Sequence, residues 1–130
     1  ENDRFYFIRF QANGESIGGA GIRRENGVDK WVIFGRDGYG WVGPELNDSP
    51  NVESRWTCIE LHWRKSSSNG VLEMYVDGQK VLEFTELDSD NYGNVDTVNI
   101  GYVSATDIQQ SMIVYSDLIV ISDIYVGPES

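Results

Sequence analysis

The amino-acid sequence predicts an all-β domain, an antiparallel two-sheet sandwich of the jelly-roll kind. Asn or Asp followed by Gly recurs between short runs of aromatic and β-branched residues, which is the pattern of tight β-hairpins. No stretch keeps apolar residues at helical spacing over successive turns. Many short strands joined by hairpins bury their apolar faces by stacking two sheets. The dipeptides are Asn13-Gly14, Asn26-Gly27, Asp37-Gly38, Asn69-Gly70 and Asp77-Gly78.

The predicted strands follow the apolar runs. Residues 43–54 and 85–94 are expected to be loops, because Pro, Asn and acidic residues are frequent in them. A single helical turn is expected near residues 105–109. The predicted strands span residues 4–11, 17–24, 30–36, 39–42, 56–65, 71–77, 79–84, 95–103 and 112–124.

Alternation within the strands separates a core side from a solvent side, because successive side chains of a strand point to opposite faces. The run at residues 118–121 is instead continuously apolar, which is typical of a strand covered on both faces. We therefore expect it at the centre of a sheet or beneath a loop. In the strands at 56–65 and 71–77 the predicted core set is Thr57, Ile59, Leu61, Trp63, Leu72, Met74 and Val76.

Length and charge limit the function classes. With 130 residues the chain has the size of one domain, and we expect residues 1–130 to be a single domain excised from a longer protein. The 21 acidic and 10 basic residues give a net charge of −11, which repels nucleic acid and anionic membranes. No apolar run is long enough to insert into a bilayer. Neutral glycans are favoured over polyanionic ones, unless a local basic pocket or bound cations reverse the field.

Three segments carry a family resemblance. Residues 55–63 contain the pattern Trp-x-x-Ile-Glu-Leu, residues 69–81 form an Asn-Gly to Asp-Gly hairpin, and residues 114–128 place an Asp before an apolar run and a Tyr-Val-Gly-Pro tail. Together they resemble the concanavalin A-like lectin/glucanase superfamily, in particular its laminin-G-like and polysaccharide-lyase-like modules of microbial surface proteins.

The resemblance implies an extracellular or cell-surface jelly roll with a lectin-like or adhesive function. Members of this type usually have further strands before the position of Arg4, so the resemblance implies that one or two N-terminal strands of the complete sandwich are missing from this sequence. An upstream segment or a neighbouring subunit would then pair with the open sheet edge. The family also implies a structural calcium ion near Asp117.

The predicted glycan-binding face lies on the solvent side of two strands. In jelly-roll proteins aromatic side chains stack on sugar rings, while charged side chains fix the hydroxyl groups. The alternative is an ordinary amphipathic sheet stabilised by cross-strand charge pairs, and the register of the hairpin stays open. The predicted residues are Trp56, Glu60, His62, Arg64, Glu73 and Tyr75.

Two smaller candidate sites accompany this face. Tyr39 and Trp41 lie among glycines, which would leave a ring accessible for stacking on sugar, and we expect one ring exposed and the other in the core. Asp88 and Asp90 belong to an oxygen-rich loop that could bind calcium, although it is not an EF-hand. Solvated acidic side chains are the alternative for both aspartates and for Asp117. The single Cys58 is expected to be a structural thiol.

Three functions follow, in order of preference. The first is a non-catalytic module that binds glycan, and the second is a structural or adhesive domain of a surface assembly without a glycan ligand. The third is an enzyme: His62, Tyr75 and Arg64 would serve a polysaccharide lyase, and Glu60 with Glu73 would serve a glycosidase. The motif of the glucanase relatives, Glu-x-Asp-x-x-Glu, does not occur in the chain.

Overall fold

The described part of the chain consists of β-strands and their connections. A computed structural model describes residues 4–47, 52, 55–106 and 119–121. The strands are β1 (Arg4–Ala12), β2 (Glu15–Glu25), β3 (Val28–Asp37), β4 (Gly40–Asn47), β5 (Ile59–Arg64), β6 (Gly70–Val76), β7 (Gln79–Leu87) and β8 (Thr97–Thr106). In these ranges no helix occurs, and hence none that could cross a membrane.

The strands form two antiparallel sheets. The large sheet has the order β4-β3-β2-β1-β8, and the small sheet has the order β5-β6-β7. This confirms the all-β, antiparallel two-sheet sandwich. The jelly-roll connectivity and the strands before Arg4 stay predictions.

Turn chemistry sets the hairpins. Three of the Asx-Gly dipeptides are two-residue loops in which both residues have positive φ, near +50° and +80°, as a type I′ turn requires. These are Asn13-Gly14, Asn26-Gly27 and Asp77-Gly78. The other two predicted turns differ. The loop between β3 and β4 is Gly38–Tyr39, and Asn69 ends a longer connection because β5 stops at Arg64 and β6 starts at Gly70.

One core joins the two sheets. Leu72 of the small sheet packs on the backbone of the large sheet, where Gly18 and Gly35 leave room for its methyl groups. The predicted core side of β5 and β6 is confirmed, and Ile59, Leu61 and Trp63 pack half-buried against it. The buried cluster contains Ala20, Trp31 and Ile33 from the large sheet and Leu72, Met74, Val76, Leu82 and Leu87 from the small sheet.

Several strand boundaries differ from the prediction, and three of them have a clear physical reason. β4 continues through Pro44 to Asn47, which an edge strand tolerates because one side of its backbone needs no partner. β7 continues to Leu87, since this buried side chain belongs to the core. At the other end, Trp56, Thr57 and Cys58 precede β5, so the alternation assumed for residues 56–58 was wrong.

Two predictions near the end of the chain are also wrong within the described residues. Ala105 and Thr106 belong to β8 instead of a helical turn, because they pair with Phe5 and Arg4 of β1. The described residues Ile119–Ile121 form no strand and are 57–74% exposed, so they are not covered on both faces. An apolar run gives no sign of which partner covers it. Residues 107–109, and all of 112–124 except 119–121, lie outside the described residues.

Candidate functional site

The outer face of the small sheet, which we call the acid face, brings together five of the eight predicted glycan-binding residues. They are Glu60, His62, Arg64, Glu73 and Tyr75. Pairing of β5 with β6 sets His62 opposite Glu73 and Glu60 opposite Tyr75. The register left open by the sequence is thereby fixed. Leu61 and Trp63 point to the core, so Glu60, His62 and Arg64 point outwards.

His62 lies between two carboxylates. Its Nε2 is 3.7 Å from Oε2 of Glu60 and its Nδ1 is 3.6 Å from Oε1 of Glu73. The ring centroids of His62 and Tyr75 are 4.7 Å apart. The imidazole thus lies within 4 Å of one carboxylate on its own strand and one on the neighbouring strand, which is a cross-strand polar cluster.

The cations at the edges of the acid face are held by nearby groups. Lys80 Nζ is 2.8 Å from Oε2 of Glu83 and 3.2 Å from Oε2 of Glu73. Hydrogen bonds to Glu83, and then to Glu73, raise the pKa of the Lys80 ammonium group. Arg64 Nη2 donates to the Asn69 carbonyl at 2.8 Å. The guanidinium that a lyase would aim at a uronate is thus engaged at the end of its own strand.

Trp56 does not lie on the strands that form the acid face. It belongs to the segment that precedes β5. Its side chain is 69% exposed. Next to it, Arg55 pairs with Asp77 at 2.9 Å and donates to the Trp56 carbonyl at 3.2 Å. Cys58 N–H donates to Asp77 Oδ1 at 2.9 Å, while Cys58 O accepts from Asp77 N–H. This segment is therefore anchored on the turn between β6 and β7.

A second surface, the aromatic platform, consists of Arg36, Tyr39, Trp41 and Tyr92. Tyr39 is 77% exposed and Trp41 is 49% exposed, so the expectation that one of them lies in the core was wrong. Trp41 pairs across the hairpin with Arg36, and both point away from the core because Gly35 and Val42 point into it. Trp41 is exposed because it points outwards from the sheet, and Tyr39 is exposed because it lies in the turn between β3 and β4.

Arg36 is the centre of the platform. Its Cζ lies 3.6 Å from the centroid of the Trp41 ring and 4.9 Å from that of Tyr92, which is cation–π geometry. The guanidinium also donates to the Ser16 carbonyl at 3.1 Å and lies 3.9 Å from Glu15. These contacts fix the rings before any ligand arrives.

The rings continue from the platform across the outer face of the large sheet. Phe34 contacts Trp41 and Tyr6, with centroid distances of 5.4 and 4.8 Å. A Cβ on Gly19 would lie 2.6 Å from the Phe34 ring, so this glycine allows the ring to cross β2. Val32 on the same face is buried. The row of rings therefore ends in the exposed side chains of the platform.

The loop at residues 88–96 positions Tyr92. Asp88 is joined to the β3–β4 hairpin, since its N–H donates to Asp37 Oδ1 at 2.9 Å and its carbonyl accepts from Gly38 N–H at 2.7 Å. Ser89 is buried and exchanges hydrogen bonds with Ser66. These hydrogen bonds tie the start of the loop to the β3–β4 hairpin and to the connection between β5 and β6.

Asn13 anchors the far end of the same loop. Its N–H donates to Asp96 Oδ2 and its Nδ2 donates to the Tyr92 carbonyl, both at 2.9 Å. The hydrogen bond from Asn13 N–H, with that from Thr97, lowers the pKa of the Asp96 carboxyl. Tyr39 and Tyr92 then meet edge to face at 6.0 Å.

One of the predicted calcium ligands has another partner, since the Asp90 carboxylate lies 3.3 Å from Lys65. Asp88 is bonded through its main-chain groups, and Asp117 lies outside the described residues. Among the described residues no group of three or more His, Cys, Asp or Glu side chains is arranged as a metal site. Calcium binding stays a prediction.

Sequence reasoning missed Arg36 and Tyr92. Arg36 could have been found from the hairpin, because a two-residue loop at Gly38–Tyr39 places it opposite Trp41. Tyr92 is far from β3 in sequence and gave no comparable signal, since only the hydrogen bonds of Asp88 and Asn13 bring it there.

Comparisons of the chain with family models, with curated proteins and with solved structures find no match. The family resemblance therefore rests on the sequence motifs alone.

Proposed function

We propose that this chain is a non-catalytic, lectin-like module that binds glycan at the aromatic platform, as part of a secreted or cell-surface protein. The observation that carries the proposal is the pair of exposed rings, Tyr39 and Trp41: the half-buried guanidinium of Arg36 stacks on Trp41, and the ring of Tyr92 lies against Tyr39. Sugars present flat CH faces that stack on such rings. A platform fixed in advance loses little conformational entropy on binding.

The acid face supports this proposal less well. Its groups already contact one another, with His62 between Glu60 and Glu73 and Lys80 between Glu73 and Glu83. A sugar hydroxyl would have to compete with these contacts. Its aromatic residue Tyr75 is half-buried and lies beside the imidazole. The platform offers open rings instead.

A glycan array probed with the isolated domain tests the proposal. Saturable binding to a neutral oligosaccharide is expected, and Trp41→Ala or Tyr39→Ala should weaken it about tenfold or more. Val28→Ala is the matched control, since it removes another exposed apolar side chain at a different hairpin. Circular dichroism would check that each variant is folded.

The same array distinguishes the two faces. Loss of binding on Trp56→Ala or His62→Ala, with Trp41→Ala unaffected, would move the site to the acid face and its neighbourhood. Silence of the folded wild type on all glycans would contradict the lectin proposal. Parallel arrays with calcium and with a chelator test the predicted structural ion, because only a calcium-dependent site loses binding in the chelator.

A second candidate function, a structural or adhesive domain, is favoured by the exposed apolar run Ile119–Ile121. Large exposed apolar patches mark surfaces that contact other proteins. Analytical ultracentrifugation of wild type and Ile121→Asp tests it: association that the variant abolishes would favour this function, and a monomer at all concentrations would oppose it.

A further inference from the structure

Two arginines lie side by side on the outer face of the large sheet. Arg4 of β1 pairs directly with Arg23 of β2. Ile22 points to the core, so Arg23 points outwards, and Arg4 opposite it does the same. Directly opposed residues have Cβ atoms about 4.5–5.5 Å apart, and like charges there are destabilising.

Neither arginine is compensated within the part of the chain that the structure describes. Both Nε atoms are buried and have no hydrogen-bond partner, and neither guanidinium forms an ion pair there. This is unexpected in a chain with 21 acidic residues. A buried donor without an acceptor is costly, and more so when it is charged.

The neighbouring arginine shows the usual arrangement. Arg24 makes a bidentate pair with Asp29, with Nε–Oδ1 at 2.8 Å and Nη2–Oδ2 at 2.9 Å. Lys30, which is opposite Arg23 on β3, lies 3.6 Å from Glu25. Arg4 and Arg23 therefore form the uncompensated part of this cationic row.

We propose that Arg4 and Arg23 bind one carboxylate or sulfate group of the glycan that the platform holds. The two guanidinium groups suit a single anion, because each can donate paired hydrogen bonds to its oxygens. Lys30 and Arg36 stand six positions apart on β3, so the pair lies about 20 Å from the platform along the strands. An oligosaccharide of several residues spans that distance. The assignment rests on the proposed glycan-binding function.

The ligand carries an isolated acidic group and is otherwise neutral. The net charge of −11 repels a chain with an acid on each residue, whereas the local pair reverses the field at one point. A specific site should prefer an oligosaccharide with one acidic group to a polyanionic chain. Unspecific electrostatic attraction would instead grow with the charge of the ligand.

The test uses an array of matched oligosaccharides: a neutral member, the same member with one glucuronic acid, its methyl ester, and the same member with one sulfate. Polygalacturonate is added as the polyanion. Wild type should bind a monoacidic member about tenfold more tightly than its neutral and esterified counterparts, and polygalacturonate no better than the monoacid. The uronate and sulfate arms show which anion is preferred.

Arg4→Gln and Arg23→Gln should bind the acidic and neutral members equally, at the affinity that wild type has for the neutral one. Arg23→Lys should keep part of the preference. Arg24→Gln is the matched control, because it removes the same charge one residue away and should keep the preference.

Thermal unfolding without ligand gives an independent reading. Arg23→Gln should raise the midpoint by about 1–4 °C, since it relieves the repulsion, whereas Arg24→Gln should lower it by losing an ion pair. An acid preference that survives Arg23→Gln, or equal binding of acidic and neutral members by wild type, would overturn this subsite alone. Binding of none of the members would overturn the proposed function together with it.

Discussion

On the outer face of the small sheet, His62 and Lys80 each lie beside two carboxylates, whereas on the outer face of the large sheet Arg4 and Arg23 lie beside each other without one. The first arrangement brings basic side chains and carboxylates together. The second leaves two guanidinium groups without a carboxylate among the described residues. Charged residues on a strand face thus indicate a binding surface only when their partners are known.

The aromatic residues differ in the same way. Tyr75 on the small sheet lies against His62, while the rings on the large sheet contact one another and end in the exposed Tyr39 and Trp41. A continuous row of rings needs flat backbone beneath it, which Gly19 provides. The comparison shows that the glycines of β2 matter as much to the candidate site as its aromatic residues.

The largest effect should come from the core that joins the two faces. Leu72→Ala removes the side chain that packs on Gly18 and Gly35, and we expect the free energy of unfolding to fall by about 2–5 kcal/mol. Val71→Ala, on the outer side of the same strand, should cost less than about 1 kcal/mol. Urea denaturation measures both, and equal losses would contradict a core shared between the sheets.

The second largest effect on the free energy of unfolding should come from a substitution within the large sheet, at Gly21. A Cβ on Gly21 would lie 2.1 Å from the Phe5 carbonyl oxygen, so Gly21→Ala must shift β1 and should lose about 1–3 kcal/mol of the free energy of unfolding. Gly40→Ala is the control, since its nearest atom would lie at 3.6 Å. Denaturant titration of both variants would refute this close approach if they were equally stable.

The acid face should tolerate loss of a carboxylate. Glu73→Gln removes contacts to His62 and Lys80, and Glu83→Gln removes the contact to Lys80 alone. Ion pairs at an exposed ammonium group contribute little because solvent screens them, so we expect small losses in the free energy of unfolding, the larger one for Glu73→Gln. Added salt should shrink both losses. A loss several times larger would mean that Glu73 supports the fold in another way.

The smallest expected effect is on the stability of the fold in acid. It compares Asp77, in the turn between β6 and β7, with Asp96, at the end of the loop before β8. The Cys58 N–H bond, followed by Arg55, lowers the pKa of Asp77 below its ordinary value of 3.8. A lowered pKa stabilises the fold above that value, and the contribution disappears as the pH falls through the folded-state pKa. Asp77→Asn keeps an acceptor and loses the charge, so its midpoint should be lower than that of wild type at pH 7.

Thermal unfolding between pH 2 and pH 7 measures the effect, and the Asp77→Asn and wild-type midpoints should converge in the acid range. Asp96→Asn is the counterpart in the large sheet, where the pKa of Asp96 is lowered by N–H and hydroxyl donors. Salt should reduce the effect at Asp77, which pairs with Arg55, more than the effect at Asp96. A difference at Asp77 that does not vary with pH would contradict this account.

Local chemistry made much of the fold predictable. The type I′ turns and the core side of β6 follow from Asx-Gly dipeptides and period-two alternation, both of which act over a few residues. The wrong predictions depend on distant partners. Pro44 continues a strand because β4 is an edge, and Ala105 is extended because β1 pairs with it.

The candidate site was less predictable for the same reason. Alternation correctly grouped Glu60 with His62, yet it could not say that Glu73 would satisfy the imidazole or that Arg64 would turn to Asn69. The platform needed Tyr92, which is brought to Arg36 by hydrogen bonds of a loop over fifty residues away in sequence.

The anchored loop that carries Tyr92 also bears on how such a module can diversify. Its anchors are main-chain groups and the side chains of Asn13, Asp37 and Ser89, whereas the Tyr92 ring takes no part in them. On the proposed function, substitution at position 92 would alter what the platform offers to a sugar while the hydrogen bonds that hold the loop are kept. A small library at this one position would then change ligand choice, and the loop would be a place for new specificities to arise.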